Sequence, residues 1–197
     1  MAFPDTWDEV FMLSIEKSGG SPIQFAAIVD PTSLEITEGE YNSESMPNAA
    51  GGRIWKQDPQ ADGEITFDIV PIELDATTGI GLFQQYIGGT ADSTEPLESD
   101  TSFPAGVNRV RDLFRIAVLW TNDPAAAAAE AATATSTDSL RFWAADCRFQ
   151  NQESSNSDGN LKATVTFKFK PFNKAGTTKN YAWQSGDQTA LAALAAY

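Results

Sequence analysis

LKATVTFKFK, residues 161–170, alternates without a break. Leu161, Ala163, Val165, Phe167 and Phe169 share one side, and Lys162, Thr164, Thr166, Lys168 and Lys170 share the other. A period of two is the strand period, and an apolar side backed by a polar one marks a strand between core and water. The stretch predicts a half-buried antiparallel strand with a lysine stripe.

Working outward, the same signal recurs. Ile65, Phe67 and Ile69 alternate with Glu64, Thr66 and Asp68, and Pro71 just beyond points to an edge or a bulge. Leu34 and Ile36 face away from Glu35. Residues 113–120, LFRIAVLW, read as a central strand that is apolar on both faces near its end. Residues 140–150 form a long strand expected to carry Trp143, Ala145, Cys147 and Phe149 on one face. Residues 23–29, IQFAAIV, are a short apolar run stopped by Asp30-Pro31.

Helix signals are few. GLFQQYI, residues 81–87, closed by Gly88-Gly89, fits one short helix. Asp123-Pro124 ahead of an alanine run reads equally as a capped helix or as a flexible insertion. The tail, residues 189–197, is apolar and too short for a stable helix alone, so it must pack on its own domain or on another chain. The architecture expected is mainly β, an antiparallel β-sandwich or barrel with one short helix, a long extended loop and terminal arms. At 197 residues it reads as one domain spanning 1–197, with a loop or arm at about 40–53 and a C-terminal arm at about 185–197.

Composition removes whole classes of chemistry. The chain has no histidine and one cysteine, Cys147. Ser-His-Asp and Cys-His catalysis, most zinc sites and any internal disulfide are thereby excluded. Carboxylate-pair glycoside hydrolysis survives in principle, with nothing in the sequence pointing to it. No cofactor, metal or catalytic residue is expected. No apolar stretch approaches the ~20 residues of a membrane span, and the N-terminal residues lack signal-peptide character, so a soluble chain made in the cytosol is expected.

The net charge is −14, unevenly spread: residues 30–100 hold 15 acids against two bases, Arg53 and Lys56. Such a chain should not bind DNA by neutralising phosphates. Its acidity fits a surface hydrated in high salt, a surface that must not stick to a polyanion, or plain solubility. The acidic run 92–100, DSTEPLESD, lacks the spacing and glycine of a calcium loop and reads as solvated. Gly51-Gly52-Arg53 offers amides and a cation, but no phosphate-loop pattern surrounds it, so it reads as a turn. Cys147 reads as a small core residue, and Trp55, Trp120, Trp143 and Trp183 read as strand packing before a carbohydrate platform.

Residues 34–74, LEITEGEYNSESMPNAAGGRIWKQDPQADGEITFDIVPIEL, carry a resemblance. A strand, an acidic EGE turn, a GGR loop, a short strand with a tryptophan, and GEITFDIVPIE follow one another as in the major tail tube proteins of tailed viruses, those of haloarchaeal viruses above all. The resemblance implies a β-sandwich or barrel subunit, six to a ring, with rings stacked into a tube that passes genomic DNA without specific binding. It implies self-association, contact with other tail proteins, a place in the virion, and no enzymatic activity. It also implies that the loop near Met46, Pro47, Gly51, Gly52, Arg53 and Trp55 links neighbouring subunits. The lysine face, Lys162, Lys168 and Lys170, is expected to meet acidic side chains of an adjacent subunit or, more plainly, to be a solvated strand face. The rival readings are a monomeric carbohydrate- or ligand-binding β-sandwich, which needs an exposed aromatic patch and no self-assembly, and a carboxylate-pair hydrolase.

Overall fold

The structure is a computed structural model and describes residues 10–18, 23–24, 29–70, 113–121, 135–157, 159–173 and 175–189. The helix expected at 81–87, Pro71, the acidic run 92–100, the alanine run after Pro124 and residues 190–197 lie outside them.

Ten strands carry the described chain: β1 (Val10–Lys17), β2 (Ile23–Gln24), β3 (Glu35–Thr37), β4 (Ser43–Pro47), β5 (Arg53–Gln57), β6 (Gly63–Ile69), β7 (Phe114–Thr121), β8 (Thr135–Ser157), β9 (Asn160–Phe169) and β10 (Tyr181–Thr189). All pairings are antiparallel, so the fold is mainly antiparallel β and sandwich-like, as the alternation predicts. One sheet runs β2-β1-β7-β8-β9-β6-β3, with β10 added on β8, and β4 and β5 form a separate two-stranded sheet.

The opening stretch is β9, and its alternation is realised. Ala163, Val165, Phe167 and Phe169 are buried, and Lys168 and Lys170 are exposed. Leu161 departs from its face, 54% exposed. In β6 burial alternates residue by residue, with Ile65, Phe67 and Ile69 inside. β6 is an interior strand between β9 and β3. Phe167 sits at the centre of the core. It stacks on Phe67 at 6.2 Å and meets Phe114 and Phe149 edge-on, each at 5.6 Å. Leu13, Ile15, Ile116, Val118 and Phe142 extend the same cluster. β7 is covered on both faces, because Ala117 and Leu119 on its reverse are also fully buried.

β8 is long because it is bent. Phe114 pairs with Cys147 and Ile116 with Ala144, so Ala145 and Asp146 together oppose Arg115. This is a β-bulge, and Asp146 takes φ 51°, a region that aspartate tolerates better than most residues. The bulge shifts the alternation by one. Phe142 and Ala144 therefore face the core before it, and Cys147 and Phe149 face the core after it. The single face expected for Trp143, Ala145, Cys147 and Phe149 is thus corrected: Trp143 and Ala145 lie on the other side. The bulge also divides the strand's partners. β10 pairs with residues 135–144 and β9 with residues 147–157, along the same edge.

Two arginines are buried on the reverse face of the sheet, where alternation alone would leave polar side chains in water. Arg141 is 2% exposed, and its Nε donates to Gln184 Oε1 at 3.1 Å on the neighbouring strand. Arg115 forms an ion pair with Glu16 across β1 and β7. Burial of such groups is tolerated only with partners of this kind.

Candidate functional site

The loop expected at 40–53 is an ordered hairpin. Register runs Ser43–Gln57, Glu44–Lys56, Ser45–Trp55, Met46–Ile54 and Pro47–Arg53. Its turn is built by one asparagine and one glycine. Asn48 Oδ1 accepts from the amides of Ala50 (3.1 Å) and Gly52 (2.8 Å), and the Gly52 carbonyl accepts from Asn48 N–H at 2.8 Å. Gly51 has φ 81°, the left-handed conformation that a three-residue hairpin loop requires. Arg53 bends back on the partner strand, donating from Nε to Ser45 Oγ (2.6 Å) and from Nη2 to Ser45 O (3.1 Å). That engagement accounts for an arginine beside two glycines without invoking a phosphate.

The hairpin pairs with no other strand, and its residues are exposed apart from the half-buried Ser45. Trp55 is 75% exposed, Ile54 53% and Met46 44%. Met46 and Ile54 form one apolar cross-strand pair, while Trp55 and Arg53 share the opposite face. A two-stranded hairpin bare on both faces is marginal in water by itself. A tryptophan left almost wholly in solvent is what a buried contact with another molecule would use.

The root of this arm is clamped to the body. Gln60 Nε2 donates to Gly39 O (2.8 Å) and to the Tyr181 hydroxyl (3.1 Å). Glu38 accepts from Tyr181 Oη (3.0 Å) and Trp183 Nε1 (2.8 Å) on β10. Burial first, and the Glu38 carboxylate as well, raise the Tyr181 phenol above its ordinary pKa of 10.0. Gly39 is required here, since a Cβ on it would stand 1.7 Å from the Ala61 carbonyl oxygen. Beside the root lies an open cleft of about 620 Å³, lined by Tyr41, Pro59, Asp62, Lys170, Phe172 and Asn173 among others.

The lysine stripe is not one uniform face. Lys162 Nζ lies 3.1 Å from Asp30 and 3.9 Å from Asp68 of its own chain. Lys168 sits in register between Glu64 of β6 and Arg148 of β8, and Lys170 borders the cleft. Asp30 also accepts from the Thr32 hydroxyl (2.7 Å) and amide (3.0 Å). These two bonds, then Lys162, hold its carboxyl below the ordinary 3.8. A carboxylate whose pKa is lowered by folding stabilises the fold above its unfolded pKa and loses that contribution as pH falls through the folded value. The stability difference between wild type and Asp30→Asn should therefore be flat at neutral pH and shrink below pH 3.8. Denaturant titrations in a pH series measure it.

Cys147 is fully buried, with Sγ 3.4 Å from Ala144 O. Burial first, and Asp146 second, push the thiol far above its ordinary range, which leaves it a packing residue. Among the described residues no group of three or more acidic or cysteine side chains could hold a metal ion, and no helix is long and apolar enough to cross a membrane. Residues 185–189, read as the start of an arm, are part of β10. The sites that the sequence reading did not single out are Glu38, Gln60, Tyr181 and the cleft. They converge from separate parts of the chain, and only Tyr41 and Asn173, each beside a turn, hint at them.

No family model matches the sequence, and no curated protein matches it. Among solved structures, the chain is similar to one in the PVC sheath–tube complex of an extracellular contractile injection system. The identity is 10%, the match covers 90% of each chain, and the TM-score is 0.48. A chain of that system's sheath/tube terminator is 12% identical over 93% of this chain and 99% of its own, at 0.49. An Hcp protein is 13% identical over 90% and 98%, at 0.34. All three scores are below 0.5 and leave the function open.

Proposed function

We propose that this chain is a self-assembling structural subunit whose rings, six copies each, stack into the tail tube of a virion of the haloarchaeal-virus type. Genomic DNA would pass through without specific binding, and other tail proteins would cap the stack. One observation carries the reading: an ordered arm, bare on both faces, that holds Trp55, Ile54 and Met46 out in water. Met46, Pro47, Gly51, Gly52, Arg53 and Trp55 then form the linking element, with the turn setting its shape and the aromatic and aliphatic side chains its contact. Without an additional surface to cover them, these groups would be a liability to a monomer.

The charge fits this role. Copies carrying −14 repel at low ionic strength, and molar salt cuts the screening length to ~3 Å, so assembly should favour salt. Electron microscopy of the purified protein in molar salt and in dilute buffer tests the proposal. Rings or hollow tubes of uniform width support it, and single subunits at high concentration in both buffers refute it. Within such assemblies Lys168, exposed and in register with Glu64 of its own chain, would be the member of the lysine stripe to meet an acidic neighbour. Lys168→Glu is expected to weaken tube formation several-fold at unchanged thermal stability. Normal tubes from that variant would reduce the stripe to a solvated face.

A carbohydrate-binding reading has one observation in its favour, Trp183, 46% exposed and stacked on Trp120 at 5.7 Å. Its indole N–H is already given to Glu38, however, and that removes the donor a sugar hydroxyl would use.

A further inference from the structure

We infer that the cleft at the arm's root is the receptor for the arm of a second copy of this chain. In this contact Trp55 of one copy enters between Tyr41 and Phe172 of the next, and Arg53 meets Asp62. The inference rests on the assembly reading above and adds to it what the arm binds.

Charge selects the surfaces first. Two copies at −14 can approach closely only where at least one of the two facing patches is not acidic. The outer arm, residues 45–55, holds no acid and one base, Arg53. Among the described residues the cleft carries Asp58 and Asp62 beside Lys170, and so offers carboxylates to the arm's one base. Asp58 is already 3.3 Å from Lys56 of its own arm, which leaves Asp62 as the acid to receive Arg53.

Size and chemistry agree. About 620 Å³ is within the range of sites that enclose a small ligand, and it holds an indole with part of a guanidinium. Tyr41 (55% exposed) and Phe172 offer aromatic walls, and Pro59 and Pro171 add flat apolar ones. Buried tryptophan and arginine set in a pocket are the side chains that dominate interface energies. Trp55 does not fill the cleft of its own chain, being 75% exposed there.

The geometry of supply matters as well. Arm and cleft are different surfaces, so the contact is heterologous, and each copy gives one arm and receives one. Such contacts continue from copy to copy until a ring closes or a filament grows. Gln57 and Pro59, at the base of the arm, are themselves part of the cleft wall. An arm received from one neighbour therefore braces the root of the arm offered to the next.

The test uses two full-length variants, each lacking one half of the contact. Trp55→Ala with Arg53→Glu removes the knob and keeps the cleft. Tyr41→Ala with Asp62→Arg spoils the cleft and keeps the knob. Each is expected to sediment as a single subunit where wild type assembles, and an equimolar mixture is expected to give one-to-one dimers that grow no further. Arg53→Glu with Asp62→Arg in the same chain should recover at least tenfold of the assembly lost by Asp62→Arg alone. Circular dichroism checks folding, and the milder Asp62→Asn, expected to raise the assembly threshold several-fold, replaces the cleft variant if that one fails to fold. Wild type assembling alongside unimpaired cleft variants, or a mixture that stays monomeric, overturns the docking inference and leaves the tube reading standing. Wild type that never assembles overturns both.

Discussion

Phe167→Ala is expected to lose about 3–5 kcal/mol, the usual cost of emptying a fully buried phenylalanine site. Phe167 has no exposed surface, and its ring meets those of Phe67, Phe114 and Phe149 from three other strands, β6, β7 and β8. The void cannot easily collapse, because each surrounding ring is fixed by its own strand. Two of the contacts are edge-on, a geometry worth about 0.5–1.5 kcal/mol each beyond area burial. Folded domains have only about 5–15 kcal/mol in total, so the variant should stand near the limit of folding. A fall in melting temperature of roughly 6–20 °C follows for a chain of this size. Lys168→Ala, one residue on and on the opposite face, should change stability by less than about 0.5 kcal/mol. Equal losses at the two positions in denaturant titrations would mean that the faces of β9 are wrongly assigned.

The second large effect is on assembly rather than on folding. Asn42 and Asp58 are joined by a backbone hydrogen bond of 2.9 Å, from Asp58 N–H to Asn42 O. Residues 43–57 can therefore be excised and replaced by Asn-Gly, the pair that suits a two-residue hairpin turn. The excised hairpin pairs with no other strand and adds nothing to the Phe167 cluster. Its removal should leave the melting temperature within a few degrees of wild type, while rings and tubes disappear from electron micrographs. Tubes formed at the wild-type threshold by the shortened chain would exclude the arm as the linking element. A cooperative transition lost altogether would show instead that the hairpin belongs to the fold.

Where the sequence speaks plainly about this fold, one period dominates. Residues 163–169 and 63–69 alternate cleanly because each strand has one face on the core and partners on both edges. Alternation misleads in β8 because a bulge changes its phase, and nothing in Ala145-Asp146 announces one. The buried Arg115 and Arg141 were equally hidden, since their partners Glu16 and Gln184 are remote in sequence. The arm's tryptophan, glycines and arginine stand out as an unusual local group, and its turn carries a legible signal. Asn48 with Gly51, and Asn173 with Gly176, mark two asparagine-stabilised turns, each glycine at positive φ, 81° and 69°. In each, the asparagine Oδ1 accepts from backbone amides two to five residues on. The clamp at the arm's root has no such signature, because Glu38 and Gln60 reach Tyr181 and Trp183 across more than a hundred residues of chain.

That clamp determines where a pull on the arm would go. Glu38 and Gln60 grip β10, and β10 is held to residues 135–144 of β8 by a ladder lying along the strand. Part of the tension would enter the sheet through those two strands, and part would pass along the chain itself into β3 and β6. At the bulge β8 changes partner from β10 to β9. The aromatic centre around Phe167 lies on the far side of that transfer point. A subunit tugged by its neighbours would thus feel the load in its core by two routes, from Tyr181 into Phe142 and Phe169 and from β6 through Phe67 into Phe167.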